Sequence, residues 1–428
     1  MWLEKKGNIS KAALKPAHAS TLNELRVPQR IVFWSGVVSL ISSQKPQVAF
    51  RDLLSGWRTM LAGRPPLLSI EITRECPLSC PGCYAYGENH LGGGITLPQL
   101  RDFRGDALVE GVLGLVRKYQ PIHVSLVGGE PMIRHRELAR ILPALGRKGV
   151  HTLLVTSAVI RVPKEWMNIP RLRVAVSVDG LPEHHDVRRK PATYERILTN
   201  IQGCNVNIHW VITRPMLERR GYLEEYLAFW SARPEVHRIW ASTYSPQIGE
   251  HSAEMLTVEN RQQLSRQLPG LGRHYPKFFV NQRIVGAFQA PPRNPGECLF
   301  SRMSTNYSAD LETRVQPCVL GGTPDCSQCG CIASVGLHSV DSVKVAGPLK
   351  VYHLVRASMA VGKWIAAFQS ESNTPERWRP QHMQPKSGLG WSKSRPSKIE
   401  PLLVDFIRKA VRKPSLCIRN VEKPRTLD

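Results

Sequence analysis

Two clusters hold eight of the ten cysteines in this 428-residue chain. The first, Cys76-Pro-Leu-Ser-Cys80-Pro-Gly-Cys83, places three thiols at a C-x3-C-x2-C spacing, with proline and glycine keeping the segment out of a helix. Three thiolates on one turn can hold three corners of a cubane 4Fe-4S cluster and leave the fourth iron without a protein ligand, which makes that iron a place for chemistry. Zinc is the competing metal, although the fourth local donor of a closed structural zinc site is missing. Three buried, unligated thiols are the plain alternative. The second cluster is Cys298, Cys318, Cys326, Cys329 and Cys331, within 34 residues at C-x19-C-x7-C-x2-C-x-C. Five thiols exceed the four that one metal centre needs. Cys204 and Cys417 stand apart and read as incidental thiols, with Cys417 able to supply a ligand from a distance.

Further groups follow successive apolar runs. Gly128-Gly129-Glu130-Pro131 ends the second run, where the glycines permit close approach of a ligand and Glu130 can accept from an ammonium group. The third run ends at Thr156 and Ser157. The fourth reads Val176-Ser177-Val178-Asp179-Gly180 and is followed by His185, Asp186, Arg188 and Arg189. Ligands of parallel α/β sheets and barrels bind at the carboxyl ends of the strands, so these groups converge beside the first cysteine loop if the runs are parallel strands. His209 and Tyr244 read as pocket lining or core rather than proton carriers.

In this order, the C-x3-C-x2-C loop, the Gly-Gly-Glu-Pro segment and the Ser-Val-Asp-Gly run end resemble the radical S-adenosylmethionine (SAM) superfamily, over about residues 66–245. The resemblance implies that Cys76, Cys80 and Cys83 hold a 4Fe-4S cluster whose open iron chelates SAM, and that reductive cleavage yields methionine and a hydrogen-abstracting 5′-deoxyadenosyl radical. It further implies that Gly128, Gly129 and Glu130 receive the methionyl amino group, that Ser177 faces the ribose or carboxylate region, and that Arg189 pairs with the carboxylate, Arg188 being equally near. The residue before the third cysteine is often aromatic in this family. Here it is Gly82, which transfers the expected packing on adenine to Tyr84. The second cysteine cluster resembles the twitch or SPASM extensions of peptide-modifying members, which carry auxiliary clusters. One auxiliary 4Fe-4S cluster is expected there, with zinc as the competitor.

These residues need a scaffold. From residue 67 onward, short β-branched runs alternate with helical periodicity, the pattern of βα units around a parallel sheet. Strands are expected at 67–73, 123–127, 152–156, 173–178, 207–213 and 238–242. Helices are expected at 98–118, 136–148, 193–201, 217–230 and 258–267, with too short a connection for one after the third strand. Thr96, Pro98 and Gln99 form a capping box for the first. The expected fold is therefore α/β, a partial (β/α)6 TIM-type barrel with a Cys-rich C-terminal extension. The domain expectation is a helical N-terminal extension at 1–65, the barrel at 66–275, the Cys-rich region at 276–345, and a basic tail at 346–428. That tail carries helices at 349–368 and 401–412 around a polar linker at 370–398.

With 58 Lys and Arg against 34 Asp and Glu, the chain carries +24, and residues 332–428 hold 17 basic against 7 acidic groups. Basic surfaces attract polyanions, so nucleic acid, anionic membrane, an acidic peptide and an acidic flavodoxin or ferredoxin-type reductant are the partner classes. The longest uncharged apolar run, at 31–42, is too short for the roughly 20 residues of a membrane span. It reads as a packed helix, with a peripheral membrane contact through Trp34, Arg26 and Arg30 as the alternative. No transmembrane segment or signal peptide is expected, and the location expected is cytoplasmic. The expected function is a radical SAM enzyme acting on a peptide or protein side chain or on a small biosynthetic metabolite, with RNA less favoured. The alternative is a non-catalytic iron–sulfur or zinc protein that binds nucleic acid through its basic surface.

Overall fold

The computed structural model describes residues 50–368, apart from 192, 193 and 342. The apolar run at 31–42, the linker, the helix expected at 401–412 and Cys417 lie outside the described residues.

All six β-branched runs form strands: β1 Leu67–Glu71, β2 His123–Val127, β3 His151–Thr156, β4 Leu172–Ser177, β5 Val206–Ile212 and β6 Val236–Thr243. They pair in parallel and in chain order. A seventh strand, β7 Ser304–Tyr307, pairs in parallel with the free edge of β1, Leu67 opposite Ser304 and Ile70 opposite Tyr307. Its sequence, Ser-Thr-Asn-Tyr, lacks the apolar run that announces a strand. It is buried because the chain returns over it, with Ser308 N–H donating to Thr313 O and Val315 N–H to Asn306 O. The six-unit expectation is thus corrected to seven strands, and the Cys-rich extension completes the sheet before leaving it.

The helices are α1 Phe50–Leu61, α2 Gly105–Tyr119, α3 His135–Arg147, α4 Pro182–Arg188, α5 Tyr194–Asn200, α6 Arg214–Glu218, α7 Tyr222–Ala232, α8 Val258–His274, α9 Gln282–Gln289, α10 Leu299–Met303, α11 Ile332–Asp341 and α12 Val351–Phe368, the last preceded by a hairpin, β8 Lys344–Ala346 with β9 Leu349–Lys350. Two differ from expectation for local reasons. The Thr96/Gln99 capping box closes on a 3-10 turn, Leu97–Gln99, and the chain stays extended to Arg104 because Asp102 is drawn back to Thr73 and Arg74, so α2 begins only at Gly105. The helix expected at 217–230 is divided into α6 and α7 by Gly221, whose φ of +75° lies in the left-handed region.

One face of the sheet packs on helices. Leu68, Ile70, Val124, Leu126, Val176, Ile208 and Trp210 are buried with Val112 of α2, Ile141 of α3 and Tyr226 of α7 in one core, and the Trp210 and Tyr226 rings stack at 3.9 Å. On the opposite face β2 and β3 are half-buried, as their alternating burial shows, whereas Ser69 and Glu71 of β1 and Ala175 and Ser177 of β4 are buried there. The α1 helix packs on α10 and α12 through Met60, Leu299, Val355 and Met359. Gly362 makes that approach possible, since a Cβ there would stand 2.0 Å from Met60 O. No described helix is long and apolar enough to cross a membrane.

Candidate functional site at the strand ends

The first cysteine loop leaves the end of β1, and the Gly-Gly-Glu-Pro turn leaves the end of β2. The two continue to pair beyond their strands, with Gly129 N–H donating to Thr73 O at 2.9 Å and Glu130 N–H to Glu75 O at 2.8 Å. That closeness explains the glycines. Gly128 has φ +133°, and a Cβ on Gly129 would lie 2.1 Å from Glu75 O. Behind the turn, buried Arg134 pairs with Asp102 and with Glu75 at 3.1 Å, while Asp102 accepts from Thr73 Oγ1 and Arg74 N–H. These ion pairs anchor the three residues that lead into Cys76.

Cys76, Cys80 and Cys83 are each half-buried. Burial pushes the Cys76 thiol up to about 11, with Glu130 and the other two sulfurs adding to the rise and the Leu78 N–H opposing it. Burial also raises Cys80, against the lowering effect of Arg189 and the Lys190 N–H. The loop is strapped to the end of α4, since Ser79 N–H donates to Lys190 O at 2.7 Å.

Glu130 is 1% exposed, and its carboxylate is filled from within. Oε1 accepts from Met132 N–H and Thr156 Oγ1, and Oε2 from Ser157 N–H and Ser157 Oγ. A carboxylate has about four lone-pair sites, so this one is committed to holding the turn and the end of β3 together. The backbone carbonyls of Gly128 and Gly129 carry no hydrogen bond among the described residues and are the acceptors left for a cation.

The structure separates the two arginines that the sequence left equivalent. Arg189 meets Asp179 through Nε and Nη2, both at 3.0 Å, and lies near the sulfurs of Cys80 and Cys83. Arg188 stands farther off, with Nε 3.6 Å from Asp179 Oδ2, and pairs through Nη1 with Glu254. Asp179, 2% exposed, also accepts from Val211 N–H, and despite the raising effect of burial, Arg189, Arg188, His185 and His209 hold its carboxyl well below the usual range. Ser177 is the buried last residue of β4, opposite His209 of β5. Tyr84, just past Cys83, is 43% exposed with its ring edge against His90 at 5.6 Å. Tyr86 instead donates to Arg74 O and packs against Gly129.

All five cysteines of the second cluster line one pocket, whose other walls include Pro292, Pro295, Phe300 and Pro317. The sequence could not show this convergence. Cys298 caps α10, its sulfur accepting from Ser301 N–H, with Ser334 Oγ at 3.2 Å. Burial raises the Cys331 and Cys318 thiols, and nearby backbone N–H groups oppose the rise, those of Ser334 and Ala333 at the start of α11 for Cys331 and that of Leu320 for Cys318. Burial, then neighbouring sulfurs, push Cys326 and Cys331 up to about 12. The cavity is docked on β6: Thr243 N–H donates to Gly330 O at 3.0 Å, Gly330 N–H to Ser245 Oγ, and Ile332 N–H to Ser242 Oγ, which also meets His209 Nε2 at 2.8 Å.

Both cysteine sites offer soft sulfur donors suited to iron–sulfur clusters or zinc. Among the described residues no three His, Cys, Asp or Glu side chains converge on one ion.

Sequence reasoning missed Asp102, Arg134, Glu71 and His90. Only Glu71 left a signal, as a carboxylate ending an otherwise apolar strand.

Residues 70–217 match the family model described as the radical SAM superfamily. A PqqA peptide cyclase of Rhizobium meliloti (strain 1021) is 32% identical over 103 residues, which are 24% of this chain and 25% of that protein. This chain therefore spans about a quarter of the length of that curated relative. Among solved structures, Streptococcus suis SuiB bound to precursor peptide SuiA is 14% identical, with 77% of this chain and 74% of that one covered at a TM-score of 0.44. Native anSMEcpe with bound AdoMet is 15% identical, over 68% and 84% of the two chains, also at 0.44. The family match runs from within β1 into α6 and takes in the C-x3-C-x2-C loop, the Gly-Gly-Glu-Pro turn and the Asp179–Arg189 pair, so residues 70–217 are the part of this chain that is similar to the radical SAM superfamily.

Proposed function

We propose that this protein is a radical SAM enzyme that acts on a peptide, with Cys76, Cys80 and Cys83 as the ligands of its SAM-binding cluster. A 4Fe-4S cluster held by these three thiolates would supply an electron and an open iron for SAM, the chemistry of reductive SAM cleavage to methionine and a hydrogen-abstracting 5′-deoxyadenosyl radical. The chain's own groups have separate tasks. The Gly128 and Gly129 carbonyls accept from the methionyl ammonium, while Glu130 fixes their turn. Arg189, steadied by Asp179, faces the SAM carboxylate. Tyr84 offers its exposed ring to adenine, and Ser177 borders the ribose.

The observation that carries this reading is the three-thiol loop held between an arginine and two open carbonyls at the strand ends of a radical SAM domain. The peptide follows from the relative named as a peptide cyclase, with a small metabolite as the competing substrate. A second 4Fe-4S cluster on Cys298, Cys318, Cys326, Cys329 and Cys331 is supported by their shared cavity, which offers one thiol more than a cluster requires. The reductant proposed is a flavodoxin or ferredoxin.

After anaerobic reconstitution with iron and sulfide, dithionite and SAM are expected to yield 5′-deoxyadenosine and methionine. The Cys76→Ala/Cys80→Ala/Cys83→Ala variant is expected to lose both products. An intact cluster that leaves SAM uncleaved would instead favour a binding protein.

A further inference from the structure

His90 belongs to no motif, yet the fold surrounds it. It is 3% exposed, and its Nε2 lies 2.8 Å from Glu71 Oε1 at the end of β1, an oxygen pair completed by Ser308 Oγ on Oε2. Its Nδ1 lies 3.1 Å from Leu320 O, 230 residues away in sequence. Its own carbonyl accepts from Gly322 N–H. Gly321 has no room for a side chain, since a Cβ there would stand 2.1 Å from His90 O and 2.5 Å from Nδ1. A carbonyl only accepts, so Nδ1 is the donor to Leu320 O and Nε2 is the nitrogen left facing the Glu71 carboxylate. Leu320 sits in the turn that bears Cys318, which Gly321 closes by giving its N–H to Cys318 O at 3.0 Å.

We propose that His90 is a positioning residue for the second cysteine centre, the middle of a relay Glu71–His90–Leu320 that fixes the turn bearing Cys318 and sets that centre against the first. Histidine and carboxylate partners one step behind a ligand orient it, and hydrogen bonds to ligating sulfur tune a cluster's potential. Since Tyr84 leans edge-on against the same imidazole, one side chain touches the residue beside Cys83 and the loop that bears Cys318. The inference rests on the reading of residues 298–331 as a cluster site.

The test uses the full chain with Cys76, Cys80 and Cys83 replaced by alanine, so that only the second centre can load. Iron content, the EPR spectrum of the reduced cluster and its midpoint potential are measured in this parent and after His90→Ala, His90→Gln and Glu71→Gln. His90→Ala is expected to shift the potential and spectrum or to lose iron. His90→Gln, which keeps an N–H toward Leu320, is expected to return toward the parent. Glu71→Gln is expected to shift the potential while retaining iron. An unchanged potential and spectrum in either His90→Ala or Glu71→Gln would overturn the relay. Should His90→Ala fail to fold, failure of His90→Gln to hold iron in a folded chain would overturn it equally. A parent that binds no iron would sink the cluster reading itself, an outcome the variants cannot mimic.

Discussion

Asp179 joins stability to binding in one carboxylate. Burying a charge is tolerable only with a partner, and here Arg189 is that partner and also the cation facing the Cys80 and Cys83 sulfurs. Asp179→Asn would leave a guanidinium without its counter-ion and is expected to cost about 3 kcal/mol at pH 7, the scale of breaking a buried pair. The sign with pH follows from the depressed folded value. The ionised carboxylate's contribution is fully present above the unfolded value of about 4 and fades as pH falls below it. Urea unfolding of both proteins should therefore show a gap that narrows from neutral pH toward pH 3, and a constant gap would contradict the pairing. Single residues were unevenly legible. Cysteine spacing marked the three thiols of the first loop, but that Arg189 lies beside Cys80 and Cys83 while Arg188 also reaches Glu254 required the tertiary structure.

Secondary elements meet the sites through glycines that leave no space. Gly330 lies so close to the end of β6 that a Cβ would fall 1.7 Å from Thr243 Oγ1 and 2.8 Å from Thr243 N. Gly330→Ala must push residues 326–331 off the strand. Overpacking of this kind costs about 1–3 kcal/mol, and the loop concerned carries three cysteines. The expected outcome is loss of iron from the second centre, about half of the total, with SAM cleavage at the first retained. Equal loss at both centres would show that the loop is not an independent clamp. Element positions were mostly legible because β-branched runs and helical periodicity agree along the barrel. The late start of α2 was not, since the pull on Asp102 comes from β1 and from Arg134. Nor was β7, whose polar residues are buried only by the chain returning over them.

At the scale of the whole molecule, metal content follows from two separate cysteine sites. Reconstituted protein is expected to hold about eight iron and eight labile sulfide per chain and no zinc, and the Cys76/Cys80/Cys83 triple variant about four of each. Four iron with one zinc would overturn the second cluster. The charge of +24 belongs to the surface and not to this count, and 17 of its basic residues lie between 332 and 428.

The sequence by itself determined the radical SAM match over residues 70–217, the six strands that pair in parallel and the three-thiol loop beside them, because those signals are local: a cysteine spacing, an alternation of runs, a glycine pair. Only the tertiary structure decided that Glu130 is spent on Thr156 and Ser157, that five thiols scattered over 34 residues share one cavity, and that His90 binds the two cysteine loops together across 230 residues. Hydrogen bonds and cavities between segments far apart in sequence depend on how the chain closes on itself, and no residue's type or spacing records its partner there.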